Sequence, residues 1–449
     1  MEGRQIISKY THLFTVQNQG DTEYIVYNSR NNSFFKISEE LYIVLQEYSK
    51  DPQYYIGLIR NDCLSSLQKA KIIVSEDEDD NFVRQSILKS NLDSYASSHL
   101  SLSIAPTSGC NFRCPYCYEE NKPNVTMTDE TIKNMISFIN EHQSIKTMGI
   151  TWYGGEPLIA FDTIKKILNE IKHNSHVKLT SQAIVTNGYN FNQEVINFFK
   201  DQNLGKIQIT IDGPEEEHNK RRILQNGKGT FQKIISNLKV IVRELPDSHV
   251  QIRINIDKNN QDGFIILYKE LKELFNSHIA IYPGYIRINN KFQTGITCDS
   301  VDQNEARLFY DKLEKDGNIK VNYCPQIIRQ RGCVATCITG YVIGPSGEIY
   351  KCWNDMGYPE KIVGYVNQNK LTNPNLYNQY LIDGQWTADE ECKKCFFLPI
   401  CSAGCAWQRI RNKFHKGTYD YCSLYKGEGI DKYLELHYRK NYLLSNKKD

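Results

Sequence analysis

Hydrophobic and polar positions along the chain follow two periods, and the order in which they occur divides it. Near the start, Tyr24–Tyr27 and Ser33–Ile37 read as strands, joined by the turn-forming Asn28, Asn31 and Asn32. Glu39–Tyr48 then places Leu41, Val44, Leu45 and Tyr48 on one helical face. Leu64–Ala70 reads as a second helix leading into a strand at Lys71–Val74. The acidic run Glu76–Asp80 reads as a solvated linker that closes this unit.

From residue 100 to about 290 the two periods alternate. Strands are expected at Leu100–Pro106, Gly149–Tyr153, Gln182–Thr186, Lys206–Asp212, Val250–Asp257 and Ile279–Ile288. Amphipathic helices lie between them, one aligning Ile132, Met135, Ile136 and Ile139, a second Ile164, Ile167, Leu168 and Ile171. A third aligns Phe231, Ile234, Ile235, Leu238 and Val242. Strand–helix alternation implies a parallel α/β architecture, either an open sheet or a partial barrel, with the strand C-termini on one rim. After about 320 the periodicity fails, until an amphipathic helix at Ile430–Leu444. Such a segment is expected to be organised by something other than an apolar core.

Composition narrows the function. Of 449 residues, 40% are hydrophobic and 24% charged, so global disorder is excluded. The net charge of +2 gives no support to a nucleic-acid partner. Met1–Gln19 lacks the pattern of a signal peptide, and no 18-residue apolar stretch occurs, so a cytoplasmic, soluble, multidomain protein without a membrane partner is expected. Fourteen cysteines change the picture further. Only Cys63 precedes residue 100; three fall at 110–117 and ten between 298 and 422. In a reducing compartment such clusters point to metal ligation rather than disulfides.

Cys110-x3-Cys114-x2-Cys117 follows directly after the first strand of the α/β region. Three thiolates cannot close a tetrahedral zinc site without a fourth ligand, but they can bind three irons of a [4Fe–4S] cluster and leave one open. Here the chain resembles the radical S-adenosylmethionine (SAM) enzymes, whose signature is this loop with an aromatic residue, Tyr116, before the last cysteine. Gly154-Gly155-Glu156-Pro157, ending the second strand, resembles the family's glycine–glycine–glutamate motif. The resemblance implies that this motif meets the amino group of SAM. It also implies polar contacts to SAM from Asn187, Thr210, Arg222 and Asn255, with His218 and Arg221 at matching spacing. The activity implied is one-electron cleavage of SAM to a 5′-deoxyadenosyl radical that abstracts an unactivated hydrogen.

The C-terminal cysteines resemble the SPASM domain of the same superfamily. Cys333 or Cys337, Gly347 and Cys352 form its first half; Cys392-x2-Cys395-x5-Cys401-x3-Cys405 and Cys422 form its second. By that pattern two auxiliary [4Fe–4S] clusters are implied, one on Cys333, Cys337, Cys352 and Cys405, the other on Cys392, Cys395, Cys401 and Cys422. Cys324 is an alternative to Cys337, and a pair of structural zinc sites is the competing reading. Cys63 and Cys298 read as ordinary thiols.

The resemblance implies three segments. Residues 1–98 would be a small α+β, winged-helix-like leader-binding module of the kind that recognises ribosomally made precursor peptides. Residues 99–310 would form a partial (β/α)6 TIM-type barrel, and 311–449 the SPASM domain. The expected function is a peptide maturase that installs a thioether, carbon–carbon or carbon–oxygen cross-link, served by an external reductant such as flavodoxin or ferredoxin. A sulfatase-maturing, formylglycine-forming enzyme is the alternative; an iron–sulfur electron-transfer or scaffold protein without SAM chemistry is the alternative of another class. No catalytic base is legible.

Overall fold

The first strands follow from short apolar alternation interrupted by asparagine and glycine turns. In the computed structural model, which describes residues 4–96, 98–117, 124–286, 301–317, 319, 326–328, 333–368, 370–423, 425–426 and 429–439, the chain begins with β1 (Gln5–Ile7), β2 (Thr11–Asn18), β3 (Asp21–Asn28) and β4 (Ser33–Ile37). Helices α1 (Glu39–Glu47), α2 (Pro52–Gly57) and α3 (Asn61–Lys69), strand β5 (Ile73–Ser75) and helix α4 (Glu78–Tyr95) complete this segment. Strands β2, β3 and β4 form an antiparallel sheet, and β1 pairs with β5.

The acidic run is not a solvated linker. Asp79 is buried, and its carboxylate accepts from Ser8 Oγ at 2.9 Å and from the Lys9 amide at 2.7 Å. Glu78 pairs with Arg30 at 3.0 Å and Lys71 at 2.7 Å. Glu78, Asp79 and Asp80 form the first turn of α4, where carboxylates face the positive end of the helix.

The six strands expected from the alternating region are all present: β6 (His99–Ile104), β7 (Thr147–Trp152), β8 (Lys178–Thr186), β9 (Leu204–Ile211), β10 (His249–Ile256) and β11 (Ile279–Tyr285). They are parallel and lie side by side in sequence order, the arrangement of a partial (β/α)6 barrel. Helices α5 (Asp129–Glu141), α6 (Phe161–Asn174), α7 (Gln193–Lys200), α8 (Glu215–Arg221), α9 (Phe231–Glu244) and α10 (Gln261–Phe275) occupy the connections, followed after β11 by α11 (Gln303–Lys315). The expected apolar faces of α5 and α6 are buried, through Met135 and Ile164 among others, and that of α9 is buried through Phe231, Ile234, Ile235 and Leu238, with Ile241 rather than the half-buried Val242 closing it.

Three further strands, β12 (Gly340–Ile343), β13 (Glu348–Tyr350) and β14 (Gly364–Tyr365), extend the sheet. β12 runs parallel to β6, and β13 and β14 return antiparallel, giving nine strands. The last part carries α12 (Pro374–Asn378), α13 (Glu390–Lys394), α14 (Ala406–Phe414) and α15 (Gly429–Tyr438). The cysteine-rich segment therefore does contain regular structure, including one amphipathic helix, α14, that burial of Trp407 and Ile410 accounts for.

The chain forms two compact units. One holds residues 1–94, 320–332 and 382–449; the other holds 95–319 and 333–381. In the first, Val26, Leu45, Tyr48, Leu67 and Ile72 form the core on one face of the β2–β3–β4 sheet. On the opposite face Phe14, Val16, Ile25 and Tyr27 pack against Ile400 and against Ile430, Leu434 and Tyr438 of α15. In the second, the alternate strand residues Ile207, Ile209 and Ile211 are fully buried, as are Ile252, Ile254 and Ile256. Among the described residues no helix is long and apolar enough to cross a membrane.

Candidate active site

The motifs singled out from the sequence lie where the barrel strands end. The cysteine loop leaves β6 and is fastened on two sides. Thr107 bridges Thr126, and Phe112 bridges Leu224. Gln225 reinforces the second fastening: Asn111 O accepts from its amide at 3.1 Å, and Cys110 O from its side-chain Nε2 at 2.6 Å.

Gly154 and Gly155 at the end of β7 make room for this loop. A Cβ on Gly155 would stand 2.2 Å from Gly109 O, and one on Gly154 would stand 2.4 Å from Thr107 O. Gly154 also has φ +116°, which disfavours a side chain independently. The Glu156 amide donates to Gly109 O at 2.9 Å, so β7 and the cysteine loop are joined by backbone contact.

Glu156 itself is fully buried. Its Oε1 accepts from Thr186 Oγ1 at 2.7 Å and the Leu158 amide at 3.0 Å, and its Oε2 from the Asn187 amide at 2.7 Å. Burial pushes its carboxyl pKa up, and those three donors pull the other way. The carboxylate ties the end of β7 to the end of β8. Asn187 then donates through Nδ2 to Asn111 Oδ1 at 2.8 Å, back onto the cysteine loop.

The aromatic residue of the loop is the centre of a second network. Tyr116 Oη accepts from Arg222 Nη1 at 2.7 Å and Asn255 Nδ2 at 3.2 Å, and donates to Asp212 Oδ2. Burial raises the phenol pKa well above its ordinary value, so it remains a donor. Asp212 is fully buried too, and burial raises its pKa against the pull of Arg222. Arg221 donates to Asp257 Oδ2 at 3.0 Å, and Asn260 Nδ2 links the carbonyls of Asp212 and Asn255 at 2.9 and 2.8 Å.

His218 works through the backbone. Its Nδ1 accepts from the Asp212 amide at 3.4 Å, which leaves the proton on Nε2, 2.9 Å from Thr230 Oγ1. Thr230 Oγ1 in turn donates to Arg222 O at 2.5 Å. Burial holds the imidazole neutral, so His218 fixes the position of Arg222 without adding charge. Thr210 is buried on β9, level with Arg253 on β10.

Of the expected contact residues, Tyr116, Arg222 and Asn255 are thus brought together, and Glu156 and Asn187 form a neighbouring set. Asp212 and Asn111 complete these sets, and sequence reading had not placed them in the site. Their signals were the Thr-Ile-Asp-Gly-Pro run that ends β9 and the position of Asn111 beside Cys110.

Cys110, Cys114 and Cys117 share one short loop, and the charges of Cys114 and Cys117 act on Cys110. Burial pushes the Cys110 thiol pKa up to about 12 and raises that of Cys114. Among the described residues no three His, Cys, Asp or Glu side chains already converge on a metal-holding point. The donor set nonetheless suits a soft metal centre, since three thiols and no carboxylate or imidazole are what iron–sulfur ligation takes. The rim also fits a zwitterionic ligand: Asp212 Oδ1 and Arg222 Nε are buried with no hydrogen-bond partner among the described residues.

Cys333, Cys337 and Cys352 belong to the barrel unit; Cys392, Cys395, Cys401, Cys405 and Cys422 belong to the other. Cys333 and Cys337 flank a single turn, Val334–Thr336. Tyr153, just before Gly154, stacks on Trp353, just after Cys352, at 4.3 Å between ring centres. In the other unit Arg409 donates to Cys392 Sγ at 3.1 Å and to Asp389 at 2.6 Å, and Lys426 reaches Cys422 Sγ at 3.4 Å. Ala403, at φ +67°, presents its carbonyl to the same Arg409 at 2.8 Å. Cys298 and Cys324, residues 287–288 of the sixth strand and residues 440–444 of the last helix lie outside the described residues.

Comparison with known proteins gives these features a context. The cysteine-type anaerobic sulfatase-maturating enzyme of Clostridium novyi (strain NT) is 26% identical over 357 residues, spanning 73% of this chain and 93% of that protein. The radical SAM cyclopropyl synthase TigE of Paramaledivibacter caminithermalis is 21% identical over 463 residues, 94% of each. The solved structure of native anSMEcpe with bound AdoMet and Cp18Cys peptide covers 78% of this chain and 100% of that one at TM-score 0.59 and 20% identity, a likeness of fold. Residues 104–271 match the Radical SAM superfamily. That match runs from the end of β6 into α10 and takes in all the strand-end segments just described; the chain is an enzyme that carries a radical SAM domain, with SAM and an iron–sulfur cluster as its cofactors.

Proposed function

We propose that this enzyme is a peptide maturase that abstracts hydrogen from a residue of a ribosomally made precursor and closes a bond between side chains. Cys110, Cys114 and Cys117 would hold the SAM-binding cluster. Tyr116, Gly154, Gly155, Glu156, Asn187, Thr210, Arg222 and Asn255, with Asp212, would form the SAM pocket. When bound, the cofactors supply a carbon-centred radical able to attack an unactivated C–H bond. The chain's own part is to position and to exclude water. Arg222 offers a guanidinium to a carboxylate, Asp212 offers a carboxylate oxygen to an ammonium or hydroxyl, and the buried knot around Tyr116 keeps both in place. Two further clusters are part of this reading. Cys333, Cys337 and Cys352 would serve one and Cys392, Cys395, Cys401 and Cys422 the other, carrying away the second electron that bond closure releases. The electron for SAM cleavage would come from an external donor such as flavodoxin or ferredoxin.

The observation that carries the peptide reading is in the N-terminal segment. Among the described residues strand β4 pairs with β3 alone, its other edge facing no further strand. Beside it lies a groove of about 640 Å³ lined by Phe35, Ile37, Leu41, Val44 and Leu58 among others. An open edge next to an apolar groove suits an extended leader peptide added as a further strand. The TigE alignment leaves 6% of this chain uncovered, too little to omit the N-terminal segment, whereas the sulfatase-maturating alignment leaves 27%.

The sulfatase-maturing reading is favoured by the 26% identity to the Clostridium novyi enzyme. One experiment separates the two. The reconstituted enzyme is given SAM, a reductant and either a precursor peptide encoded beside its gene or a sulfatase-derived cysteine peptide. Loss of two hydrogens from the precursor, with 5′-deoxyadenosine formed, supports the maturase; a hydrazide-reactive aldehyde on the sulfatase peptide alone would overturn it.

A further inference from the structure

Lys351 has no exposed surface, and it stands between the end of β13 and Cys352. Its Nζ donates to the carbonyl oxygens of Cys337 and Gly340, each at 2.6 Å. It also lies 5.1 Å from the ring centre of Tyr341 and 5.0 Å from that of Tyr377. Two carbonyl dipoles and two aromatic faces are the surroundings an ammonium selects. Among the described residues no carboxylate pairs with it, and burial alone pulls its pKa down to about 7; what lies against it instead is the turn that carries Cys337, with Cys352 next in sequence. A buried cation with no anion costs several kcal/mol. Neutral thiols do not offset that cost, whereas thiolates gathered on a metal do.

We infer that Lys351 is the built-in counter-ion of an anionic metal–thiolate centre on Cys333, Cys337 and Cys352, and that its two hydrogen bonds set the Cys337 turn for ligation. The inference rests on the reading of those three cysteines as ligands. It makes Lys351 a positioning residue, and it supplies a reason for Cys337 to be among the ligands: the same ammonium grips its carbonyl and stands next in sequence to Cys352. A fixed positive charge beside such a centre favours its more negative, reduced state, so an iron–sulfur centre here would have a raised potential.

The test uses the full chain, reconstituted without oxygen, in four forms. These are the wild type, Lys351→Met, a variant with Cys333, Cys337 and Cys352 all changed to Ala, and the combination. Iron and zinc per chain, the rate of metal loss to a chelator, and the melting temperature are measured for each. The expected result is that Lys351→Met loses metal from this centre about tenfold faster and melts lower. In the triple-Ala background the same substitution should raise the melting temperature, because the ammonium there has no anion to answer it.

If the triple-Ala variant holds as much metal as the wild type, the ligand reading fails and takes the inference with it. If it loses metal, but Lys351→Met lowers the melting temperature equally in both backgrounds and leaves the chelation rate unchanged, the ligand reading stands. Lys351 is then a structural clamp and the counter-ion role is overturned. Should Lys351→Met fail to fold in the wild-type background, the sign of its effect in the triple-Ala background decides the matter. Whether iron or zinc is lost identifies the metal.

Discussion

Arg222 Nη1 donates to Tyr116 Oη at 2.7 Å, joining the cysteine loop to the segment that follows α8 across 106 residues of sequence. The same hydroxyl serves Asp212 and Asn255, so one atom organises three side chains, from the residue after β9, from β10 and from the turn after α8. Tyr116→Phe removes that atom and leaves buried polar groups unpaired, at about 1–3 kcal/mol. SAM affinity of the reconstituted enzyme should fall about tenfold or more. Equilibrium dialysis with labelled SAM reads it, and an unchanged dissociation constant would remove Tyr116 from the pocket.

Gly155→Ala places a methyl group 2.2 Å from the carbonyl oxygen of Gly109. Backbone cannot yield as a flexible side chain would, so the cysteine loop must shift away from β7. Iron bound per chain should drop by about one [4Fe–4S] equivalent, with a fall in stability of about 1–3 kcal/mol. Iron analysis with thermal melting checks both; full iron retention would mean that the loop does not depend on this contact.

The Cys110 thiol, with its pKa pushed up to about 12 by burial, gives the metal-free protein a predictable pH response. Between the ordinary thiol pKa and 12 the folded chain binds more protons than the unfolded chain. Stability of the metal-free form should therefore be intact below about pH 9 and decline as pH rises above it. Loading the cluster must displace the thiol protons, so iron uptake should strengthen with rising pH and release protons to the buffer. Denaturant unfolding at stepped pH tests the first statement and a proton-release assay the second.

Leu58 is half exposed and lines the groove beside β4. Leu58→Asp should leave stability within about 0.5 kcal/mol, because the side chain contributes little to the core. Affinity for the precursor's leader segment should weaken about tenfold or more, by loss of apolar contact and gain of a buried charge. Fluorescence anisotropy with a labelled leader peptide gives the answer; unaltered binding would place the peptide elsewhere.

Much of the barrel was legible because β9 and β10 are isoleucine-rich, β6 and β7 alternate apolar and polar residues, and α5, α6 and α9 keep a 3.6-residue period. What escaped reading depends on partners distant in sequence. Asp79 looks like one more solvated acid until Ser8 and the Lys9 amide are found to donate to it. β2 escaped because His12, Thr15 and Gln17 dilute its apolar alternation. Nothing local announces that Gly340–Ile343 will pair beside β6, more than 230 residues earlier in the chain. Nothing in the run Gly154-Gly155 by itself announces that it will pack against the carbonyls of Thr107 and Gly109.

Helix α15 has a consequence for how the molecule is made. Its residues Ile430, Leu434 and Tyr438 cover a face of the sheet formed by residues 11–37, and Tyr438 Oη donates to Glu23 across 415 positions. During synthesis that face stays bare until α15, hundreds of residues further along, emerges. The early sheet must therefore be held in waiting, exposed to misassociation, while the rest is translated. Contacts of such high sequence separation form late, so docking of α15 is expected to be a slow step of folding.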